Sequence, residues 1–302
     1  MSDRSALRGT LLMLGSSIFF CVMAGMIKRM SHVNSFMVVQ FRFVIGLALL
    51  STAALFGRIR LSFSNGPLLF LRGLTGGAAV FLFFLSISKL GVGKGTVITY
   101  SFPAFASVFG IFLLKERLSP VKWIAVAAAL AGIALLAFDR GGETEGGPTA
   151  ALLAVGRYEL LAILGAALSG VAICLVKKLH DTDSTYAIFL AQCLVGLWLV
   201  IIPANVKGVS LGYSGGLMLL GIGVVAATAQ LLMTEGYRHL TVTTGSLLSM
   251  SVPVLNFLLG IIVFKERFSA AGIVGALVVM ASCTAVILAD RRKGPETTDE
   301  HR

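Results

Sequence analysis

Apolar runs about 20 residues long, parted by short polar breaks, make up almost the whole chain, and a run of that length spans the hydrocarbon core of a bilayer. Ten such runs lie near 7–27, 34–56, 67–88, 92–114, 119–138, 157–177, 184–203, 213–236, 241–264 and 268–289. The breaks between them have physical causes. Asn65-Gly66-Pro67 supplies a turn and then a proline at a helix start. Ser119-Pro120 offers a hydroxyl cap with proline at the first helical position. Gly91 and Gly93 interrupt the third and fourth runs and leave a very tight connection, while Asp139–Pro148 (DRGGETEGGP) is the one clear linker.

The pattern occurs twice. Leu90–Ser119 reads LGVGKGTVITYSFPAFASVFGIFLLKERLS, and 150 residues on Leu240–Ser269 reads LTVTTGSLLSMSVPVLNFLLGIIVFKERFS. Without a gap, 11 of 30 positions are identical, including Pro103 with Pro253 and Lys115-Glu116-Arg117 with Lys265-Glu266-Arg267. Two unrelated apolar helices would share leucines, not a proline and a charged triplet. The same offset relates Gly15 to Gly165, Lys28 to Lys178 and Gly46 to Gly196. The chain therefore reads as two copies of one unit. Each copy holds five runs, and an odd number makes the second copy enter the membrane from the opposite side. The expected fold is an all-α integral membrane protein, with ten transmembrane helices as two inverted five-helix repeats. Its parts are a first repeat over 1–138, a linker over 139–156, a second repeat over 157–289 and a cytoplasmic tail over 290–302.

Composition agrees. Of the 302 residues, 57% are hydrophobic and 13% charged, against about 25% charged in a soluble domain. The net charge of +11 invites a nucleic-acid reading, but the basic residues sit in short loops between apolar runs, where a cytoplasmic face collects them. With the N-terminus inside, inner segments hold 15 of the 25 Lys and Arg residues, Arg72 among them, and Arg42 lies within the membrane. Both termini are thus expected in the cytoplasm. Arg4 and Arg8 before an apolar run resemble a signal peptide, yet the run continues to Ile27 with no small-residue cleavage site, so a retained first helix is expected. Cys21, Cys174, Cys193 and Cys283 all lie in apolar runs without metal-ligand spacing and read as reduced packing residues.

Polar groups inside apolar helices are costly and point to function. Arg42 stands about eight residues into the second run, roughly 12 Å deep. It either faces a central cavity and binds a substrate carboxylate or phosphate, or locks its helix by snorkelling or by bonding helix-end carbonyls and Gln192, its repeat-mate. Gln40, Gln192, Gln230 and Asn256 are neutral but equally in need of partners. Glu235, near the end of the eighth run, is either a proton-coupling site or the partner of Arg238 three residues on. Pro103 and Pro253 stand mid-run, where a proline frees a carbonyl and kinks a helix, so they are hinge candidates. Tyr100, Ser101, Ser251 and Asn256 flank them and are cavity candidates together with Gln230. The two Lys-Glu-Arg triplets read as turn caps, the carboxylate accepting from amides at the next helix start. Ala128 with Gly132 and Ala271 with Gly275 give the fifth and tenth runs small residues at four-residue spacing, suited to close contact within the bundle or between two subunits.

An intramembrane hydrolase needs a nucleophile and a base at membrane depth. His32, His180, His239 and His301 all fall in loops, helix ends or the tail, and no His/Asp/Glu cluster suits a metal, so no enzyme, cofactor or metal is expected. A channel lined by neutral groups is the remaining alternative to a carrier. A two-fold inverted repeat with kinked helices fits alternating access better.

Ten helices, the five-helix duplication, a K-E-R-[LF]-S turn after the fourth and ninth helices, QFRFVIGLALL in the second helix and the paired S-x-P segments resemble the EamA-type branch of the drug/metabolite transporter superfamily. The likeness runs from Leu7 to Ala289. It implies a metabolite carrier or exporter in the inner or plasma membrane. It further implies a central cavity built from the first, third, fourth, sixth, eighth and ninth helices, with the fifth and tenth peripheral and often at a homodimer contact. Members that carry very different substrates share an arginine like Arg42, which speaks for its structural reading. LFLRGLTGG and VQFRFVIG look most like the subgroup that includes S-adenosylmethionine carriers, with amino acids, amines and aromatic compounds equally open.

Overall fold

A computed structural model describes residues 3–30, 33–116, 118–140, 156–205, 212–265 and 270–292. Most of the expected linker, Arg117, Glu266, Arg267 and the tail from Lys293 lie outside them. Among the described residues the regular structure is helical: α1 (Asp3–Arg29), α2 (Ser35–Leu55), α3 (Gly66–Thr99), α4 (Phe102–Leu114), α5 (Pro120–Arg140), α6 (Arg157–Leu179), α7 (Thr185–Asn205), α8 (Tyr213–His239), α9 (Val242–Ser249), α10 (Ser251–Ile262) and α11 (Ala270–Arg292). Among the described residues eight stretches are long and apolar enough to cross a membrane, with α9 and α10 counted as one, and Phe102–Leu114 and Pro120–Leu135 are shorter apolar helices. Phe112, Trp198 and Ile202 turn outward and are exposed, as side chains facing lipid are.

The helix α3 is not straight. Residues eight apart on a straight helix stand about 12 Å apart. A Cβ built on Gly95 would nonetheless come within 3.0 Å of the Ser86 and Ile87 backbone, and the rings of Phe83 and Tyr100 lie 6.4 Å apart. The chain reverses between these points, where the sequence places Gly91 and Gly93. The arm over 66–90 runs one way, and the arm over 91–99 returns beside it toward α4.

The prolines differ from expectation. Neither kinks a continuous helix, because the helix stops one turn ahead of each. Tyr100 and Ser101 form a turn after α3, and Pro103 is the second residue of α4. Met250 breaks α9 from α10, and Pro253 is the third residue of α10. At a helix start the missing proline N–H is one that would lack an intrahelical partner anyway. The two breaks share their chemistry: Ser101 Oγ donates to the Ile98 carbonyl at 2.6 Å and Ser251 Oγ to the Leu248 carbonyl at 2.7 Å, each 150 residues from its counterpart. Lys115 ends α4 in the left-handed region (φ 55°), and Lys265 follows α10 at φ 51°.

Helix packing pairs α1 with α8 and α10, α6 with α3 and α4, α2 with α7 and α8, α3 with α7, and α5 with α11. Glycine makes the closest approaches possible. A Cβ on Gly77 would fall 2.7 Å from the Gly196 Cα, and one on Gly132 would fall 2.8 Å from the Gly275 carbonyl oxygen. The small-residue faces of α5 and α11 therefore meet each other within one chain.

Two further expectations change. Arg72, assigned above to the inner surface, is buried near the start of α3 at 3% exposure. Ser119 does not cap α5 with its hydroxyl, which has no partner; its carbonyl accepts from the Lys122 and Trp123 amides instead.

Candidate functional site

A cavity of about 890 Å³ opens between the elements that meet at the two helix breaks, a size suited to a drug-sized ligand. Ser16, Ser17, Phe20 and Lys28 of α1 form one wall. Val80, Phe83, Phe84 and Ile87 of α3 form the opposite one. Thr99, Tyr100 and Phe102 enter from the first break, and Ser249, Pro253 and Asn256 from the second. Ser169 of α6 and Met233 of α8 complete it, and Arg42 of α2 adds a guanidinium. The helical lining thus comes from α1, α3, α4, α6, α8, α9 and α10, with α2 in addition. The cavity runs toward the end of the bundle where Lys28 Nζ sits 4.1 Å over the Phe264 ring.

The structure brings Arg42, Tyr100, Asn256 and Pro253 into this wall and leaves the other candidates outside it. Arg42 Nη2 donates to Gln230 Oε1 at 2.6 Å, its guanidinium lies 5.5 Å from the Phe20 ring centroid, and its Nε has no hydrogen-bond partner. Gln192 is not its partner. Gln192 Oε1 accepts instead from Arg72 Nη2 at 2.9 Å, so each buried arginine on the first half is met by a glutamine on the second. Ser101 is spent on its own helix end, and Ser251 stands 2.8 Å from the Ser17 hydroxyl. Pro103 is buried against neighbouring helices rather than at the cavity. Gln40 accepts from Asn205 Nδ2 at 3.2 Å.

The opposite end of the bundle is closed by polar contacts between the halves. Glu116 Oε1 accepts from the Val242 amide at 2.7 Å. This carboxylate thus caps α9, far along the chain, and not the adjacent helix start expected from its sequence position. Lys122 Nζ donates to Thr241 Oγ1 at 3.2 Å, and Lys177 Nζ to the Arg238 carbonyl at 3.1 Å. His180 Nε2 donates to the Thr234 carbonyl at 2.8 Å, since a carbonyl only accepts. Glu235 belongs to this end and not to the cavity. It accepts from Thr185 Oγ1 at 2.5 Å and lies 3.4 Å from His239 Nε2 and 3.8 Å from Arg238 Nη1. Burial pushes the Glu116 carboxyl above its ordinary value, opposed by the Val242 amide and the Lys122 and Lys177 charges. Burial pushes His180 below its own, opposed by the Thr234 bond and Glu235.

Sequence reasoning missed Ser16, Ser17 and Thr99 as wall residues and Arg72 as a buried cation. One signal was available for Thr99: it and Ser249 hold the same register one position before the two breaks. Among the described residues, no group of three or more His, Cys, Asp or Glu stands close enough to hold a metal.

The EamA-like transporter family profile matches residues 7–138 and again residues 156–288. The chain belongs to the EamA-like transporter family. It is 24% identical to the pseudopaline exporter CntI of Pseudomonas aeruginosa over 92% of this chain and 95% of that one. It is 24% identical to the human solute carrier family 35 member G1 over 88% of this chain and 75% of that one. A solved crystal structure superposes with a TM-score of 0.80 at 21% identity, covering 97% of this chain and 100% of the other, so the two share the fold. With the apolar helices above, these findings make the protein a multi-pass membrane transporter and not an enzyme.

Proposed function

We propose that this transporter carries a small organic metabolite across the inner (plasma) membrane by alternating access, on ten crossings arranged as two inverted repeats. The observation that carries the reading is a cavity bounded by two helix breaks 150 residues apart and shut at one end. Ten crossings follow when the two arms of α3 are counted apart, the returning arm with α4, and α9 with α10. The packing supports the inversion. Contact of α1 with α8 is matched by α6 with α3, and contact of α10 with α1 by α4 with α6, as a two-fold axis requires.

The excess of Lys and Arg at the end that holds the N-terminus favours cytoplasmic termini. The Glu116 end is then the cytoplasmic barrier, and the cavity faces outward. Motion would bend the chain at Tyr100–Ser101 and at Met250, next to the two prolines. A homodimer would use the outer faces of α5 and α11, because their glycine faces are already joined. A facilitator or channel-like pathway is the alternative, and a cavity closed at one end favours the carrier.

Counterflow in proteoliposomes tests this. Vesicles carrying the full chain are loaded with amino acids, S-adenosylmethionine, nucleobases or aromatic acids and amines, with and without a pH gradient. A carrier gives saturable uptake stimulated by unlabelled solute on the far side, whereas a pore gives no trans-stimulation. A gradient response lost only in Glu235→Gln would establish proton coupling through the barrier end.

A further inference from the structure

We propose that the solute held in this cavity is an organic anion, with a carboxylate or equivalent oxyanion set against Arg42 on a flat apolar body. The inference rests on the carrier reading above and adds the chemical class. Arg42 is 7% exposed, lines the cavity and keeps an Nε without a partner. Among the described residues its hydrogen-bonded neighbour is the neutral Gln230 amide, whose Nε2 is itself buried without a partner. Among the described residues no carboxylate pairs with Arg42 and none lines the cavity. A guanidinium buried this way retains its charge, and that charge is costly until an anion meets it. Gln230 and the Phe20 face hold the group in place, so little ordering remains for the ligand to impose.

The rest of the wall fixes the body of the ligand. Phe83, Phe84 and Tyr100 present apolar ring surface, while the Thr99 Oγ1 and Asn256 Oδ1 atoms are buried and unpartnered. A ligand hydroxyl or amide N–H would satisfy Asn256. Aromatic walls also attract organic cations, but the buried Arg42 guanidinium borders this space, and its fixed positive charge selects against them.

The test uses probe pairs of one body and opposite charge: indole-3-acetate with tryptamine, and phenylacetate with phenethylamine. Binding is read from ligand-induced shifts in thermal unfolding of the purified full-length protein, and transport from counterflow. At least one carboxylate should stabilise the wild type in a saturable way, with its amine partner at least tenfold weaker. Arg42→Lys should weaken the carboxylate about tenfold and Arg42→Gln should abolish its effect. Because Arg42→Gln also loses Gln230 as a partner, Asn256→Asp serves as a second variant that leaves that pair intact; it should weaken the carboxylate at least tenfold and admit the amine.

An amine that binds the wild type as well as its carboxylate, or variants within threefold of wild type, would overturn the anion assignment. So would a panel in which no carboxylate binds, including one where chloride alone does. The two readings fail separately. Counterflow of a cation with none of any anion keeps the carrier and removes the anion, whereas a carboxylate that binds without counterflow keeps the anion site and removes alternating access.

Discussion

Replacing Glu116 by alanine tests whether the barrier end is held shut from across the repeat. The Val242 amide donates to Glu116 Oε1 at 2.7 Å, and Val242 is fully buried, so without the carboxylate no water reaches the amide while this end stays closed. A buried donor left unpaired costs about 1–3 kcal/mol. On the alternating-access reading, opening the end hydrates the amide and relieves that cost, so the substitution shifts the closed-to-open ratio rather than merely loosening the fold. Taking about 2 kcal/mol, and tenfold per 1.4 kcal/mol, the open fraction should rise about 30-fold. Thr243, next in the chain and fully buried, is the reporter. Thr243→Cys in a background without the four native cysteines should react with a membrane-impermeant maleimide, applied from the N-terminal side, 10- to 30-fold faster when Glu116 is alanine. Glu116→Gln keeps a carbonyl oxygen for the amide and should change the rate less than about fivefold. A rate within threefold of the parent in the alanine variant would refute the reasoning.

Three further outcomes follow from the geometry. Gly132→Ala puts a methyl group 2.8 Å from the Gly275 carbonyl oxygen; it should destabilise the α5–α11 contact by about 1–3 kcal/mol, read as a lower unfolding temperature in detergent. Lys115→Gly relieves a left-handed residue at φ 55° and should raise stability by about 1 kcal/mol, while Lys115→Val should lower it. His180 has a folded pKa below its ordinary 6.5, so the neutral form stabilises the fold above that value. Its contribution is lost as pH falls below 6.5 toward the depressed value, and His180→Gln should flatten the pH dependence of the unfolding temperature in that range.

Much of this architecture was legible because it was written twice. The Leu90–Ser119 and Leu240–Ser269 match singled out the two proline segments, though as kinks and not as the helix breaks they follow, and Gly91 and Gly93 marked the reversal inside α3. What the sequence hid was which side chain meets which. In lipid the outward face of a helix is as apolar as the inward one, so no periodicity revealed that Arg72 is buried or that Gln192 serves it. Glu116 was misread for a related reason: its sequence position offers α5 as the nearest helix start, whereas the fold brings the start of α9 closer. The prolines were read as kinks because a proline inside an apolar run does not disclose that the helix has ended one turn earlier.

The two arginine–glutamine pairs have a consequence for how the protein is made. Arg42 and Arg72 are both translated in the first half, and their partners Gln230 and Gln192 both arrive in the second. Until the ribosome has passed residue 192 both guanidinium groups sit in or beside the bilayer without their eventual acceptors, and until it has passed residue 230 Arg42 still does, a state the membrane tolerates poorly. The N-terminal half is therefore an obligate intermediate that must wait for its twin or be shielded by the insertion machinery. Synthesised alone, it should be a preferred substrate of membrane quality control, and co-expression of the missing half as a separate chain should rescue it.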